Sequence, residues 1–393
     1  MKLNRFATVP VVLTAGAIAL AGCGSDNSSS GGNSSSAGST SSAPAASTTG
    51  GGGSTSSSAP AGGGGTPACG TGTLSSDGSS AQKPAIGAWI AGYQKQCSQA
   101  NISYAGQGSG EGITGFTQSQ IPFAGSDSHL KPQEQGPADK RCGAGAKAID
   151  LPMVATPVAI IYNLKGVKSL TLTPDELAKI FSGKISKWND TAIKATNKGV
   201  ALPSTSISTV HRSADSGTTD NFTKFLDAQA KSDWPYGTGK AWKAPGGQGG
   251  KDSTALVSAV KANDGGIGYV DGPDATKNDL TPAKLDTGSG PVAISKTTVG
   301  AALTKAKIVQ TGQDIEVDIN YGLKQAGAYP AILVTYEITC TKGLPATQAK
   351  FVKSFLTYTA STAGQALLEP IGHLPLPDSL IAKVRASIAK LPS

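Results

Sequence analysis

The chain has 393 residues, 38% of them apolar and 5% aromatic, which is too long for one ordinary domain and apolar enough to bury the core of two lobes. Its formal charge of +8 is spread along the chain without a Lys/Arg-rich run, which argues against a nucleic-acid footprint and leaves a modest pull on small anions. Much of the content of 51 Gly lies before residue 67, so composition alone separates a leader, a tether and a folded body.

Lys2 and Arg5 precede an apolar stretch, Ala7 to Ala19, that has the form of an export signal and is too short for a membrane span. It ends in Leu20-Ala21-Gly22-Cys23, which resembles the lipobox of bacterial lipoproteins. That resemblance implies a signal peptide over 1–22, lipid on Cys23 and a protein held on the extracytoplasmic face of the cell membrane. A plain signal peptide cleaved nearby is the alternative, disfavoured because Gly24, Ser25 and Asp26 follow at once and no ordered segment begins. From Gly24 to about Pro67 the chain is Ser, Gly, Thr, Ala, Pro and Asn with Asp26 as its single charge, a flexible tether with an r.m.s. reach of roughly 35 Å.

Four further cysteines, Cys69, Cys97, Cys142 and Cys340, form an even count in an exported chain and favour two disulfides. Three pairings are open. Cys69–Cys97 is favoured because it ties the start of a first strand to the end of a first helix, which leaves Cys142–Cys340. There is no C-x-x-C, and His occurs only at 129, 211 and 373, so neither a zinc site nor any other metal or cofactor is expected.

In chain order, Thr73 to Ser75 reads as a short strand, Ser76 to Ser80 as a turn and Pro84 to Gln96 as a helix with Trp89 and Tyr93 on one face. Ser79, Ser80 and the Ala81 N–H stand where a helix start offers donors to an anion. Asn101 to Tyr104 is a second strand, followed by a Gly-rich loop with Ser109 at the start of a helix from about Gly112. Gly110, Gly112 and Gly115 match the dinucleotide spacing only formally, and the loop lacks the glycines of a nucleophile elbow. Ile121 to Ala124 is a third strand running into Gly125-Ser126-Asp127.

Leu151 to Asn163 and Pro330 to Ile338 are apolar, β-rich runs suited to crossing between lobes. Between them lie helices at Thr173 to Phe181, from about Thr218 onward and at Ser253 to Lys261. A Gly-led strand spans Gly265 to Val270, and Thr298 to Thr311 reads as helical. Gln348 to Leu356, Thr362 to Leu368 and Pro377 to Leu391 are helical as well. Gly246 to Ser253 fails the P-loop pattern, because Asp252 occupies the Ser/Thr position. This alternation of strands and helices indicates an α/β class.

The richest stretch is His211 to Phe222. Arg212 ends a β-branched run, Ser213 to Thr219 is small and polar, and Asp215 or Ser216 can cap the helix that follows. A guanidinium, hydroxyls and the free N–H groups of Gly217 and Thr218 together make an anion site.

The segments YAGQGSGEGITG, IPFAGSDSHL, LAKIFSGKISKWND, ALPSTSISTVHRSADSGTT and GGIGYV, in that order, resemble the PstS-type phosphate-binding proteins of the high-affinity phosphate ABC transporter, in lipoprotein form. The resemblance implies a type II periplasmic binding protein, two α/β lobes joined by a twice-crossed hinge with the ligand in the cleft. After the signal peptide (1–22) and the lipidated Cys23 with its tether (23–66), the phosphate-binding domain would span 67–393. Lobe I would take about 67–155 and 336–393, and lobe II about 156–335. By motif, the phosphate ligands would be Ser79, Ser80, Ala81, Ser109, Asp127, Arg212, Ser216, Gly217 and Thr218. The expected role is a non-enzymatic, monomeric receptor passing inorganic phosphate to permease subunits, with no nucleic-acid partner. A receptor for another oxyanion, or an exported phosphatase or hydrolase, is the alternative. Two departures stand out. Relatives often place an acid two residues after the arginine, whereas here that position is Ala214 and the acid is Asp215, so either Arg212 is held less tightly or Asp215 substitutes. Ala81 stands where relatives often carry a bulky residue, which matters little if only its N–H is used.

Overall fold

Two long apolar strands organise the body of the protein in a computed structural model that describes residues 69–393; the expected signal peptide, Cys23 and the tether to residue 66 lie outside the described residues. The first, Ala148–Asn163, is buried along nearly its whole length, and the second, Ile332–Cys340, is buried throughout. Strands covered on both faces need no alternation of apolar and polar residues, and neither of these has one. They pair antiparallel from Ala148↔Cys340 to Pro157↔Ile332. Beyond Pro157 the long strand changes partner, and Val158 to Asn163 pair with Gly266–Asp271. The register slips between Thr335 and Tyr336, where Met153 is skipped beside Pro152, a residue with no N–H for the ladder.

On either side of this central pair lies a set of parallel strands. Gly72–Gly78 pairs with Ala100–Tyr104 and with the short Ala124–Ser126, which borders Ile332–Cys340. On the other side Ser208–Arg212 lies between Gly266–Asp271 and Gln248–Gly250. The result is one eight-stranded mixed sheet with helices packed against it. Trp89 and Tyr93, expected on one helix face, are fully buried, and Tyr93 packs against Phe351, Phe355 and Tyr358 of a C-terminal helix. Both disulfides form with the favoured pairing, Cys69–Cys97 and Cys142–Cys340.

Some expected boundaries move. The first strand runs on to Gly78 and takes up part of the expected turn. Pairing of the third strand begins only at Ala124, since Pro122 has no donor for an earlier rung. The helix expected from Gly112 begins at Ser109. The helical reading of Thr298 to Thr311 is half wrong. A helix covers Lys296–Leu303, but Lys307–Thr311 is a strand that pairs with Asp314–Asp318 across a turn in which Gly312 has φ +66°. The β-branched Ile308 and Val309 and the left-handed glycine outweigh the helical spacing there.

Candidate anion-binding site

Parallel strands of a doubly wound sheet deliver their carboxyl ends, and the helix starts that follow them, to one edge. Four such starts meet here. The turn after Gly78 carries Ser79 and Ser80 into the helix Lys83–Gln96. Gly108, at φ +140°, lets the chain turn sharply so that Ser109 is the first residue of the helix Ser109–Thr117. Ser216 caps the helix Gly217–Gln229 by accepting from the Thr219 N–H, which settles the capping residue in its favour over Asp215. The fourth is the helix Ser253–Ala262, capped by Asp252, which accepts from the Ala255 N–H at 2.9 Å.

The nine residues named from the sequence come together, and each is almost fully buried. Arg212 Nη1 donates to Ser80 Oγ at 2.9 Å and to Ser216 Oγ at 3.0 Å. Its other edge is held by a neutral acceptor, the Lys251 carbonyl, at 3.1 Å from Nε and 2.9 Å from Nη2. Asp215 is exposed and makes no ion pair with Arg212, so of the two readings left open for Ala214 the substitution by Asp215 fails; a backbone carbonyl does the holding. Among the described residues no ion pair includes Arg212, although only 2% of it is exposed. Burial lowers the guanidinium pKa, against the opposing pull of Tyr269, Asp127, Asp252 and Asp271.

Ser109 Oγ accepts from the backbone N–H of Asp127 at 3.1 Å and of Gly217 at 3.2 Å. The backbones approach so closely that a Cβ on Gly217 would lie 2.5 Å from Ser109 Oγ and 2.6 Å from Asp127 Cβ, so no side chain fits at that position. Asp127 accepts from Thr335 Oγ1 at 2.9 Å on one oxygen and from Thr218 Oγ1 at 3.2 Å on the other. Burial pushes its carboxyl up, and the Ser79, Thr335 and Thr218 hydroxyls together with the Arg212 charge pull it back. The Ser79 hydroxyl lies close enough to exert that pull, yet it closes no hydrogen bond with protein.

Two contributors were not foreseen. Ser253 Oγ lies 2.9 Å from Ser80 Oγ, and its N–H points at the same oxygen from 3.3 Å. The signal was present, since a Gly-rich loop, a capping Asp and a Ser repeat the pattern of the other helix starts. Thr335 is the other, a hydroxyl within an apolar strand, and its place in that run was the clue. Tyr269 supports the assembly: its hydroxyl accepts from the Arg212 N–H at 3.2 Å and lies 2.7 Å from Thr219 Oγ1, and burial pushes its pKa up to about 12. His211 is turned away, its ring stacked on Trp242 with centroids 5.0 Å apart and Nδ1 bonded to the Arg212 carbonyl, so it makes no contact with Ser216.

Such a fold and site define a solute-binding protein. The family model that matches residues 38–363 is that of the PBP superfamily domain. Among curated relatives, the "Phosphate-binding protein PstS 3" of Mycobacterium leprae (strain TN) is 38% identical over 389 residues, covering 98% of each chain. The "Phosphate-binding protein PstS 2" of Mycobacterium tuberculosis (strain ATCC 25618 / H37Rv) is 38% identical over 319 residues, 80% of this chain and 86% of that one. Among solved structures, a high-affinity periplasmic phosphate-binding protein (PfluDING) bound with phosphate matches with a TM-score of 0.63 and 25% identity over 80% of this chain and 93% of its own. The chain belongs to the PstS-type phosphate-binding proteins, and its fold is that of a type II periplasmic binding protein.

Proposed function

We propose that the protein captures inorganic phosphate and delivers it to the membrane permease of an ABC importer. The observation that carries this reading is Arg212, a buried guanidinium with no carboxylate partner, surrounded by hydroxyls and N–H groups from four helix starts. An isolated buried cation is costly, and an anion with several acceptor oxygens is the partner that offsets it. Ser79, Ser80, Ser109, Ser216 and Thr218 supply hydroxyls, and the Ala81, Gly217 and Thr218 N–H groups aim along helix starts. We add Ser253 to this set. Asp127 is the acceptor for a proton on phosphate. Fully deprotonated sulfate has no proton to place there and meets a carboxylate instead, at a cost of about 1–3 kcal/mol for the unsatisfied pair.

The role is binding without catalysis, a reading supported by relatives that are named phosphate-binding proteins. We place the lobes at about 67–155 with 336–393, and at 156–335. The change of partner of the long strand after Pro157 supports the first boundary, and the register slip between Thr335 and Tyr336 lies next to the second. The receptor works as a monomer on the extracytoplasmic face, anchored by lipid on Cys23.

Calorimetry on the full chain tests the binding. Phosphate is expected to bind with one site per chain and sulfate far more weakly, and Arg212→Gln should lose at least tenfold in phosphate affinity. Equal binding of sulfate would make the protein a receptor for another oxyanion, and no phosphate binding at all would sink the reading. The anchor is tested separately: cells labelled with radioactive palmitate should incorporate it into the native chain and not into Cys23→Ala, which should leave the membrane fraction.

A further inference from the structure

Three side chains outside the anion site converge on one point. His129 Nε2 lies 2.9 Å from Asp314 Oδ2 and 3.5 Å from Asp150 Oδ2, and the three donor atoms all lie within 4.8 Å of one another. Asp150, in the long strand, is completely buried, while His129 and Asp314 are partly accessible. The orientation of each group is set from outside the cluster. His129 Nδ1 lies 3.1 Å from the Leu130 carbonyl, which accepts its hydrogen and turns Nε2 toward the two carboxylates. Burial pulls the His129 pKa down, but the Asp314 bond and the acidic neighbours raise it to about 9, so a metal ion would have to displace the proton on Nε2. The Leu130 N–H donates to the Asp150 carboxylate at 3.2 and 3.3 Å, and the Asp150 N–H donates to Asp314 Oδ1 at 2.7 Å, leaving Oδ2 for the cluster.

Two carboxylate oxygens facing one imidazole nitrogen hold a cation among them, either the Nε2 proton or a metal ion that displaces it. Histidine whose other nitrogen bonds a backbone carbonyl is the usual arrangement of a metal ligand. Zinc bonded to nitrogen and oxygen at about 2.0–2.2 Å in tetrahedral geometry separates its ligand atoms by about 3.4 Å. The 3.5 Å pair fits that spacing, and the 2.9 Å pair, a hydrogen-bond distance, would open by about half an ångström to take the ion. His129 also lines a cavity of about 270 Å³ together with Glu316 and Asp127, so the histidine side of the cluster is open to a solvent-sized space.

We propose that His129, Asp150 and Asp314 form a structural site for a divalent transition-metal ion, with Zn²⁺ the ion that suits the donor set. The site fastens the segment that carries Asp127 to the Asp314–Asp318 strand and to the long strand. It stands apart from the phosphate reading, since none of the three residues is among the anion-site groups.

The test uses the full chain without an affinity tag, stripped with EDTA, dialysed into phosphate-free buffer and titrated with Zn²⁺ by calorimetry. One equivalent should bind, and Co²⁺ in its place should give the visible absorption of a low-coordinate site. His129→Gln and Asp314→Asn should each weaken Zn²⁺ binding at least tenfold. Asp314→Asn retains an acceptor for the Asp150 N–H, so the fold and the phosphate calorimetry should be unchanged in that variant. Absence of Zn²⁺ binding to the native chain, or binding that neither variant weakens, would overturn the proposal and leave a proton as the cation shared by the three groups.

Discussion

Selectivity at the anion site rests on one carboxylate. Asp127 sits among hydroxyl donors, and its two oxygens already accept from Thr335 and Thr218, contacts that favour the charged, accepting form. Replacing it by Asn keeps the size and removes the charge, so phosphate loses a charge-assisted acceptor of about 1.5–3 kcal/mol, ten- to hundredfold in affinity. Sulfate at the same time loses a repulsive neighbour. Asp127→Asn should therefore weaken phosphate binding and narrow the gap between phosphate and sulfate; calorimetry showing the same discrimination in the mutant would remove Asp127 from the selectivity role. A second buried acid behaves differently. Glu337 on the return strand bonds to Gln82, and burial pushes its pKa up to about 8 from 4.5, the Gln82 contact pulling the other way. A carboxyl with a raised folded pKa holds its proton in the fold, so its favourable contribution is complete below about pH 4.5 and is lost as pH rises through about 8. Glu337→Gln removes that loss. The melting temperature of the native chain should fall more between pH 5 and pH 9 than that of the variant, and parallel curves would contradict the assignment.

Helix starts are the elements that make the site, each bringing a hydroxyl to it from a different position of the turn or first residue. A strand ends, a short turn follows, and a hydroxyl residue lies in the turn, opens the helix or caps it: Ser79 and Ser80 before Lys83, Ser109 and Ser253 as first residues, Ser216 as cap. Amides left without an intrahelical partner and the positive end of the helix then face the same point. Gly217 shows why small residues recur: with Ser109 Oγ 2.5 Å from where its Cβ would be, any side chain would hold two of these starts apart. The stretch Lys307 to Thr311 shows the limit of element-scale reading. Apolar spacing over a few residues fits either period, and the cross-strand partner Asp314–Asp318 decided it.

At the scale of the whole molecule, two crossing strands join what lies on either side, and two disulfides fasten it. Cys69–Cys97 closes a separation of 28 residues and Cys142–Cys340 one of 198. In the chain-entropy account the shorter loop contributes about 3.5 kcal/mol and the longer about 5. The second also lies within a buried cluster with Phe116 and Ile338. Removing it as Cys142→Ala with Cys340→Ala should lower the denaturant-unfolding free energy by about 1–2 kcal/mol more than removing the first pair, and the opposite order would show that strain or residual structure governs the effect.

The sequence by itself determined the α/β class, the crossing runs and the helix starts that carry hydroxyls, because each is written in local chemistry: period, turn residues and caps. It favoured one disulfide pairing of three, and the full set of nine site residues, Asp127 among them, came with the family resemblance. What only the tertiary structure decided are contacts between positions far apart in the chain. Thr335 reaches Asp127 across 208 residues, Ser253 meets Ser80 across 173, and the Lys251 carbonyl takes the place expected of an acid beside Arg212. His129, Asp150 and Asp314 likewise show no spacing motif, and sequence reading expected no metal from three scattered histidines. Their meeting depends on which strands lie side by side, and strand pairing is set by burial of whole faces that no short stretch encodes.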